Sequence, residues 1–438
     1  MGSDVGVPRV EVHGEYSLWI EVGAGLRKGA IDRFTAVAAR FDADALFCDG
    51  TARVDGRRRT LLRPDFSPLR ILEQDYLGDA ILIRTSLLAG RVGPLSRNDL
   101  LGLIARLAPA SVVHIPELLT RRAGPPPLAD VEERREEVIQ LLNDAGLSAE
   151  VHLEREILRV VPKFAVFPLV SIIIPTRGSS AVIGGETRVL VVEAVRGIVT
   201  RSTYSTFEIV IVADDETPQS VIDELVKIAG GLLTVVRWSG RFNFSGKINR
   251  GAAHSRGDYL LLLNDDVDVI SPDWIESMVG LCMLSGIGMV GANLVFENGH
   301  VQHAGHFYQD RGAGHIAFDW QPGEDDAVGS MHVDREVSGV TAACALVSKE
   351  DFDRVGGFSK NFPGNYNDVD FSLKIRSTGA RIIWTPWARL HHYESQTRDA
   401  RTAVAEQRQL RARWGARTET DGYWAEEIAP VTRRAAID

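Results

Sequence analysis

Three short runs of uninterrupted apolar residues constrain this chain more than any other feature: Ser171–Pro175 (SIIIP), Glu208–Ala213 (EIVIVA) and Asp258–Leu263 (DYLLLL). Each is too short for a helix and apolar on both faces, which predicts strands buried on both sides. Leu232–Trp238 reads as a further strand. The intervening segments Thr187–Thr200, Pro218–Ala229 and Lys247–Ser255 carry helical periodicity. Buried strands separated by helices predict an α/β fold: a Rossmann-like, mostly parallel sheet with helices on both faces. Such sheets bind ligands beyond the carboxyl ends of their strands.

The residues at those ends are polar. Pro175, Thr176 and Arg177 follow the first strand, and Asp214, Asp215 and Glu216 the second. Asn264, Asp265, Asp266 and Asp268 follow the run at Asp258–Leu263. An acidic strand end can equally be a solvated loop or a helix cap, and for Asp214–Glu216 both readings stand. Several carboxylates in the short stretch Asn264–Asp268 repel one another unless a cation or hydrogen-bond donors lie between them. Hard oxygen ligands suit Mg²⁺ or Mn²⁺, ions commonly shared between one or two carboxylates and a substrate's phosphates. Farther on, Asn367, Asp368 and Asp370 precede a helical run, Phe371–Arg376, where the helix dipole alone favours acids. Arg381–Thr385 reads as a strand, and Leu390–Ser395 reads LHHYES. Adjacent histidines on a strand point to opposite faces, so at most one of His391 and His392 faces a site. The Gly-rich stretch Gly291–Gly305 carries His300 and His303, with His306 immediately after it. It is expected to be a loop rather than a zinc site.

A length of 438 residues favours two domains. A net charge of −10 argues against a nucleic-acid binder, while leaving room for local cations that hold a small anion. Cys48, Cys282 and Cys344 are too few and too scattered for a disulfide framework or a zinc knuckle. The N-terminus has no basic stretch followed by an apolar core, and no apolar run is long enough to span a bilayer. The expectation is a cytoplasmic protein, with peripheral association at the inner face of a membrane left open. Ala123–Pro127 (AGPPP) reads as a stiff linker, and Asp130 as the N-cap of an amphipathic helix, Val131–Ala145, that stops at Gly146. The expected domains are 1–122, a linker and helix at 123–167, a catalytic domain at 168–398 and a helical tail at 399–438.

The pieces, taken in order, resemble family 2 glycosyltransferases, which have the GT-A fold. They are VSIIIPTRG from Val170, EIVIVADDETP from Glu208 and FNFSGKINRGAAHSRGDYLLLLNDDVDVISPDW from Phe242. VSGVTAACALVSKEDFDRVGGF from Val337, NYNDVDFSLKIRSTGARIIWTP from Asn365 and HHYES from His391 continue the match. The closest flavour is that of bacterial enzymes building O-antigen, rhamnan or cell-wall polysaccharide. The resemblance implies an inverting, metal-dependent transferase that moves a sugar from a nucleotide-diphosphate sugar to a hydroxyl of a glycan acceptor, lipid-linked in some relatives. It implies that Pro175, Thr176, Asp214 and Asp215 line the nucleotide pocket, with Lys247 and Asn249 near the base or diphosphate. Asp265 is expected to face the sugar. Asp266, with Asp268 and His392, is expected to hold Mn²⁺ or Mg²⁺, and Asp368 to act as general base.

Three departures stand out: Asn264 replaces the first acid of the metal motif, Ala213–Glu216 replaces the usual Asp-(Asp/Asn)-Gly-Ser, and Tyr393 stands where many relatives carry a second His. More faintly, the stretch from Phe41 and VVHIPELLTRR from Val112 resemble the later part of the same fold. The first half then reads as a smaller, degenerate copy with Cys48-Asp49-Gly50 in place of the acidic motif, or as an unrelated α/β accessory domain. Two other functions compete: a non-catalytic nucleotide- or glycan-binding member of the same fold, and a nucleotidyltransferase, for which the Gly/Arg content after the first strand is weak. A dinucleotide oxidoreductase is disfavoured because no Gly-x-Gly-x-x-Gly follows a strand.

Overall fold

The computed structural model describes residues 9–54, 56–90, 95–124, 130–154, 157–393 and 404–424. Parts of the expected linker (125–129), of the HHYES motif (Glu394 and Ser395) and of the tail lie outside the described residues. The chain forms two compact units, and the break along it falls between Val161 and Pro162. The first unit also takes in Asp325–Arg335 and the segment from Gly422, while the second holds Pro162–Glu324 and Glu336–Asp421.

The first unit runs β1 (Arg9–His13), β2 (Tyr16–Ile20), β3 (Ala24–Leu26), α1 (Ala30–Phe41), β4 (Ala45–Val54), β5 (Arg57–Leu61), β6 (Ala80–Arg84), α2 (Arg97–Ala105) and β7 (Val112–Arg122). Its sheet has the order β1-β2-β6-β4-β7-β3, with β5 paired on β4. α3 (Val131–Asp144) and the strands β8 (Ala149–Glu154) and β9 (Ile157–Pro162) follow. The Asp130 side chain caps α3 by accepting from the amides of Glu132 and Glu133, and Gly146 follows the helix with φ +71°, as the sequence suggested.

The second unit opens with β10 (Val170–Thr176), the hairpin β11 (Ser180–Ile183) and β12 (Glu186–Val189), and α4 (Leu190–Arg201). Next come β13 (Phe207–Asp214), α5 (Gln219–Ala229), β14 (Leu233–Trp238), α6 (Phe244–Ala252), β15 (Tyr259–Leu263), β16 (Val267–Val269) and α7 (Trp274–Cys282). β17 (Ile287–Val295), β18 (Val301–His303), β19 (His306–Gln309), β20 (Gly312–His315) and β21 (Cys344–Ser348) lead to α8 (Asn367–Arg376), β22 (Arg381–His392) and α9 (Val404–Trp414). The sheet order is β14-β13-β10-β15-β21-β17-β22-β16, with β18 on β17. The four strands β14, β13, β10 and β15 are parallel, as the apolar runs predicted. Beyond them the sheet is mixed: β21 runs antiparallel to both β15 and β17, and β22 parallel to β17. Gly291 lies inside the buried strand β17, not in a loop. A Cβ there would come within 2.4 Å of Val340, so glycine marks a close approach of chain.

The parallel strands are buried because their side chains leave water on both faces. Ile172–Ile174, Ile209–Ala213 and Leu260–Leu263 are all fully buried. Each Ile or Leu contributes about 1.5–3 kcal/mol by that transfer. α6 lies close against the sheet because Gly251 has no side chain: a Cβ would come within 2.4 Å of Ile173 and 3.1 Å of Val212. That closeness sets the first turn of α6, with Lys247, over the strand ends.

The two sheets share a pairing pattern. In the first, Ile20 pairs with Ala80, Ala24 with Arg122 and Gly50 with Thr120. In the second, Leu263 pairs with Cys344, Val267 with His392 and Leu294 with Leu390. The spacing from Ile20 to Ala24 equals that from Leu263 to Val267. β2, β3, β4, β5, β6 and β7 therefore match β15, β16, β17, β18, β21 and β22. By this pairing Cys48-Asp49-Gly50 sits on the counterpart of β17. The residues opposite Asn264-Asp265-Asp266 are Glu21-Val22-Gly23, which corrects the assignment made from sequence.

The opposite edge of the parallel strands is tied by one acid. Glu208, at the start of β13, accepts from the Ser171 hydroxyl and the Arg256 amide, both at 2.7 Å, and from the Arg256 guanidinium at 2.7 Å. Burial pushes its pKa up, but these bonds outweigh burial and the net shift is downward. A depressed folded pKa means the carboxylate stabilises the fold above its unfolded pKa of about 4.3 and loses that contribution as pH falls through the folded value. Glu208→Gln is expected to lower stability by about 1–3 kcal/mol at neutral pH. In urea unfolding, its deficit against wild type should shrink as the pH drops below about 4.

Candidate active site

The strand ends of the second unit converge on a polar cluster. Thr176 closes β10, and its hydroxyl donates to Asp265 at 2.5 Å while accepting from the Gly178 amide at 2.9 Å. Gly178 has φ +73°, which suits the turn that brings its amide back onto Thr176. Pro175 is buried in the same strand. Asp214 closes β13 and meets the ammonium of Lys247 at 2.6 Å. Lys247 is only 2% exposed and also donates to the Thr176 carbonyl at 3.3 Å. Asp215 is exposed, and its amide donates to the Trp238 carbonyl. Of the two acids after β13, Asp214 is therefore the one turned toward Thr176 and Lys247.

The turn between β15 and β16 holds the acidic motif. Burial, reinforced by Asp266, pushes the Asp265 pKa up to about 6. Asp266 feels the same burial, but His392 and the Asn264 amide outweigh it and hold its pKa below the usual carboxylate value. His392 ends β22 opposite Val267, and its Nε2 lies 3.1 Å from Asp266 Oδ1 and 3.0 Å from Asn264 Nδ2. Its other nitrogen, Nδ1, lies 2.6 Å from the Gln302 side-chain oxygen. An oxygen can only accept, so Nδ1 carries a proton and Nε2 is the nitrogen turned toward Asp266. A lone pair facing a carboxylate is unfavourable unless a proton or a cation sits between them. The 3.1 Å separation suits a hydrogen bond from a protonated imidazole and also a shared cation: two neighbouring ligands at ~2.1 Å on an octahedral ion lie about 3 Å apart. The oxygen-and-imidazole set therefore fits Mg²⁺ or Mn²⁺.

Gln302 was not singled out by sequence reasoning. It sits on β18, and nothing local distinguishes it from a surface glutamine. The orienting role follows only from β18 pairing with β17 beside β22. Asn264, read as a missing acid, serves as a donor to His392 Nε2.

Two expected site residues have other partners. Asn249 spends both ends of its amide on Phe358, donating to its carbonyl and accepting from its amide, each at 2.8 Å. Both ends of that amide are therefore committed to holding the chain at Phe358. Asp268 pairs with Arg201, and its strand neighbour across the sheet is His391 rather than His392. Successive residues on a strand face opposite sides, so Asp268 points away from the side holding His392. As a metal ligand it is excluded in this conformation.

Asp368 and Asp370 divide in the same way. Asp370 is fully buried and accepts from the Trp414 indole at 2.8 Å and from Arg413 at 3.0 Å. Asp368 keeps 19% of its side chain exposed. One of its oxygens takes the Val369 amide, and the other lies 3.9 Å from His306 Nε2. Tyr366 precedes the helix with φ +56°, a sharp corner that sets Asp368 in the first turn. Asp370 thus fills the structural role and Asp368 is free to meet a ligand. The Val337–Ala345 loop joins the two halves: Ala343 accepts from the Asn264 amide, and Val340 exchanges hydrogen bonds with Ser372 of α8.

The histidines regroup. His300 leaves the others and pairs with Asp319 at 2.9 Å. His303 and His306 are joined by His315, which the sequence spacing had not connected. Burial lowers the pKa of His306.

Residues 171–356 match the sequence profile of glycosyl transferase family 2. The protein y4gI of Sinorhizobium fredii (strain NBRC 101917 / NGR234) is 32% identical over 393 residues, covering 83% of this chain and 42% of the relative. The O-antigen biosynthesis protein RfbC of Myxococcus xanthus is 29% identical over 371 residues, covering 80% of this chain and 28% of the relative. The chain thus spans less than half the length of either curated relative. Among solved structures, GalNAc-T7 with UDP, GalNAc and Mn²⁺ superposes with a TM-score of 0.47 at 14% identity, covering 66% of this chain and 58% of that one. The mannosyltransferase PcManGT of Pyrobaculum calidifontis, in complex with GDP-Man and Mn²⁺, gives 0.39 at 16% identity, covering 57% of this chain and 70% of that one. The profile covers the strands that carry Thr176, Asp214 and the Asp265–Asp266 turn, so it is this segment, residues 171–356, that is similar to the family 2 glycosyl transferases.

Proposed function

We propose that this protein is an inverting glycosyltransferase that moves a sugar from a nucleotide-diphosphate sugar to a hydroxyl of a growing cell-surface polysaccharide. The observation that carries this reading is the Asp266–His392–Gln302 arrangement: an imidazole oriented by an amide so that its Nε2 faces a carboxylate. The O-antigen role of the RfbC relative supports the polysaccharide acceptor. The donor complexes among the solved structures carry UDP or GDP-mannose, which leaves the nucleotide to be measured.

In this mechanism Asp368 takes the proton of the acceptor hydroxyl as that oxygen attacks the anomeric carbon. General-base assistance of this kind is typically worth ~10²–10⁴-fold. Asp265, held by the Thr176 hydroxyl, orients the donor sugar. The buried Lys247 sets Asp214 at the nucleotide end and adds positive charge beside the strand ends. A divalent cation held by Asp266 and His392 would supply stabilisation of the negative charge growing on the diphosphate. Gln302 keeps His392 in the tautomer that this requires. Peripheral membrane attachment is compatible with a lipid-linked acceptor; no helix among the described residues is long and apolar enough to cross a membrane.

The first unit is proposed to be a degenerate copy of the second without catalysis. Its matching strand pairing supports this, and so does the chemistry at the matching turn. Gly23 stands opposite Asp266, and Arg122 opposite His392. Arg122 donates to Asp79 at 3.1 Å and to the Val22 carbonyl at 2.7 Å, so a guanidinium fills the space that the second unit keeps for a cation.

Asp368→Asn is expected to lower kcat by at least ~10²-fold while nucleotide affinity, by calorimetry with UDP, GDP and dTDP, stays within a few fold. Turnover close to wild type would remove Asp368 as the base, and retained nucleotide binding with no turnover in the wild-type chain would favour the non-catalytic reading. Gln302→Leu is expected to weaken Mn²⁺-dependent nucleotide binding by about 10–100-fold. Arg122→Ala should destabilise the fold by about 3–5 kcal/mol, the cost of stranding the buried Asp79, yet leave Mn²⁺-dependent nucleotide affinity unchanged at temperatures where the variant is folded.

A further inference from the structure

β18 ends at His303 and β19 begins at His306. Gly305 makes the corner between them with φ +104°, and a Cβ there would come within 2.7 Å of Val337. The corner sets the two histidines side by side. The hairpin β19–β20 then brings in His315 as the direct cross-strand partner of His306. The three rings surround a common point. Their centroids are 4.9, 4.8 and 5.2 Å apart, with interplanar angles of 77°, 78° and 84°. One ring nitrogen from each lies within 4.8 Å of the other two. His303 and His306 are buried and His315 is half-buried, so the cluster reaches solvent on one side.

Two features of this cluster point to a ligand. Nδ1 of His306 is buried and makes no hydrogen bond. Leaving a buried nitrogen unsatisfied is costly, and a bound cation would remove that cost. Nδ1 of His303 faces Nδ1 of His315 at 2.9 Å, so one proton is shared between two basic nitrogens. A cation in its place would be held by both. Ligands at ~2.0–2.1 Å on a tetrahedral ion lie about 3.3 Å from each other, between the separations present here. An all-imidazole set selects Zn²⁺, Ni²⁺ or Cu²⁺ over Mg²⁺ or Mn²⁺.

We infer that His303, His306 and His315 form a second metal site, specific for a transition-metal cation such as Zn²⁺, separate from the Asp266–His392 site and with its fourth position open to solvent. Asp368 Oδ2 lies 3.9 Å from His306 Nε2, so this cation is a neighbour of the proposed base. Filling the site has a structural consequence. The Thr341 amide now donates to His303 Nε2 at 3.1 Å. When Nδ1 of a neutral His303 binds metal, Nε2 carries the proton, and the Thr341 amide must release it. Metal uptake therefore loosens the loop around Thr341. The inference does not depend on transferase activity, because it is read by binding.

The test uses the full chain, stripped with chelator and titrated with Zn²⁺ against a chromophoric competitor, with Co²⁺ absorption as a reporter of coordination. Wild type and Asp266→Ala are expected to take up one equivalent with the visible bands of a four-coordinate nitrogen site. His315→Ala, at the half-exposed member, and the milder His315→Gln should each weaken uptake by about 100-fold. Amide exchange at Thr341 should rise when Zn²⁺ binds wild type. No stoichiometric uptake by wild type, wild-type affinity in both His315 variants, or loss of uptake in Asp266→Ala overturns the second site.

Discussion

The hydrogen bond between His392 and Gln302 is the constraint on which the site depends. It fixes Nδ1 as a nitrogen that carries a proton, and so sets Nε2 toward Asp266. To make that contact, β22 must lie between β17 and β16, with β18 folded back on β17. The mixed half of the sheet is thus a device for bringing residue 392 to the end of β15. The parallel half delivers Thr176 and Asp214 to the same edge through ordinary strand burial.

Charge is handled differently at each acid. Asp214 is neutralised by Lys247, Asp268 by Arg201 and Asp370 by Arg413 and Trp414. Asp265 is raised by burial and held by a hydroxyl, while Asp266 is partnered by His392 and Asn264. The acids with a fixed cationic partner are structural or electrostatic supports. Asp265, Asp266 and Asp368 have none, and it is to these that the proposed roles at the donor, the metal and the acceptor fall. The first unit runs the same strand pattern with Arg122 at the key position, and a permanent guanidinium there neutralises Asp79 instead of leaving room for a cation.

The histidines illustrate the limits of spacing. His300, His303 and His306 look like a cluster along the chain, but His300 turns out to pair with Asp319. His315 enters from the facing strand of a hairpin whose register no local pattern announces. Asn249 makes the same point: its position in the FNFSGKINRG run resembles a ligand-binding one, yet its amide holds Phe358.

From sequence alone came the parallel strands, the helices between them, the polar strand ends and the candidates Thr176, Asp214, Asp265, Asp266, Asp368 and His392. The strands, the helices and the polar strand ends follow from local rules, in which apolar runs must be buried, strand ends meet solvent and side chains alternate, whereas Asp368 and His392 were picked out by the family resemblance. Alternation even limited the histidine pair to one inward member. What only the tertiary structure decided was which acids have partners, which nitrogen His392 presents, and that Gln302 and His315 matter at all. Those properties belong to pairs of atoms far apart in the chain. A hydrogen bond or an ion pair between residues such as Gln302 and His392 leaves no periodicity in either local sequence, so it becomes legible only when the sheet has set the register.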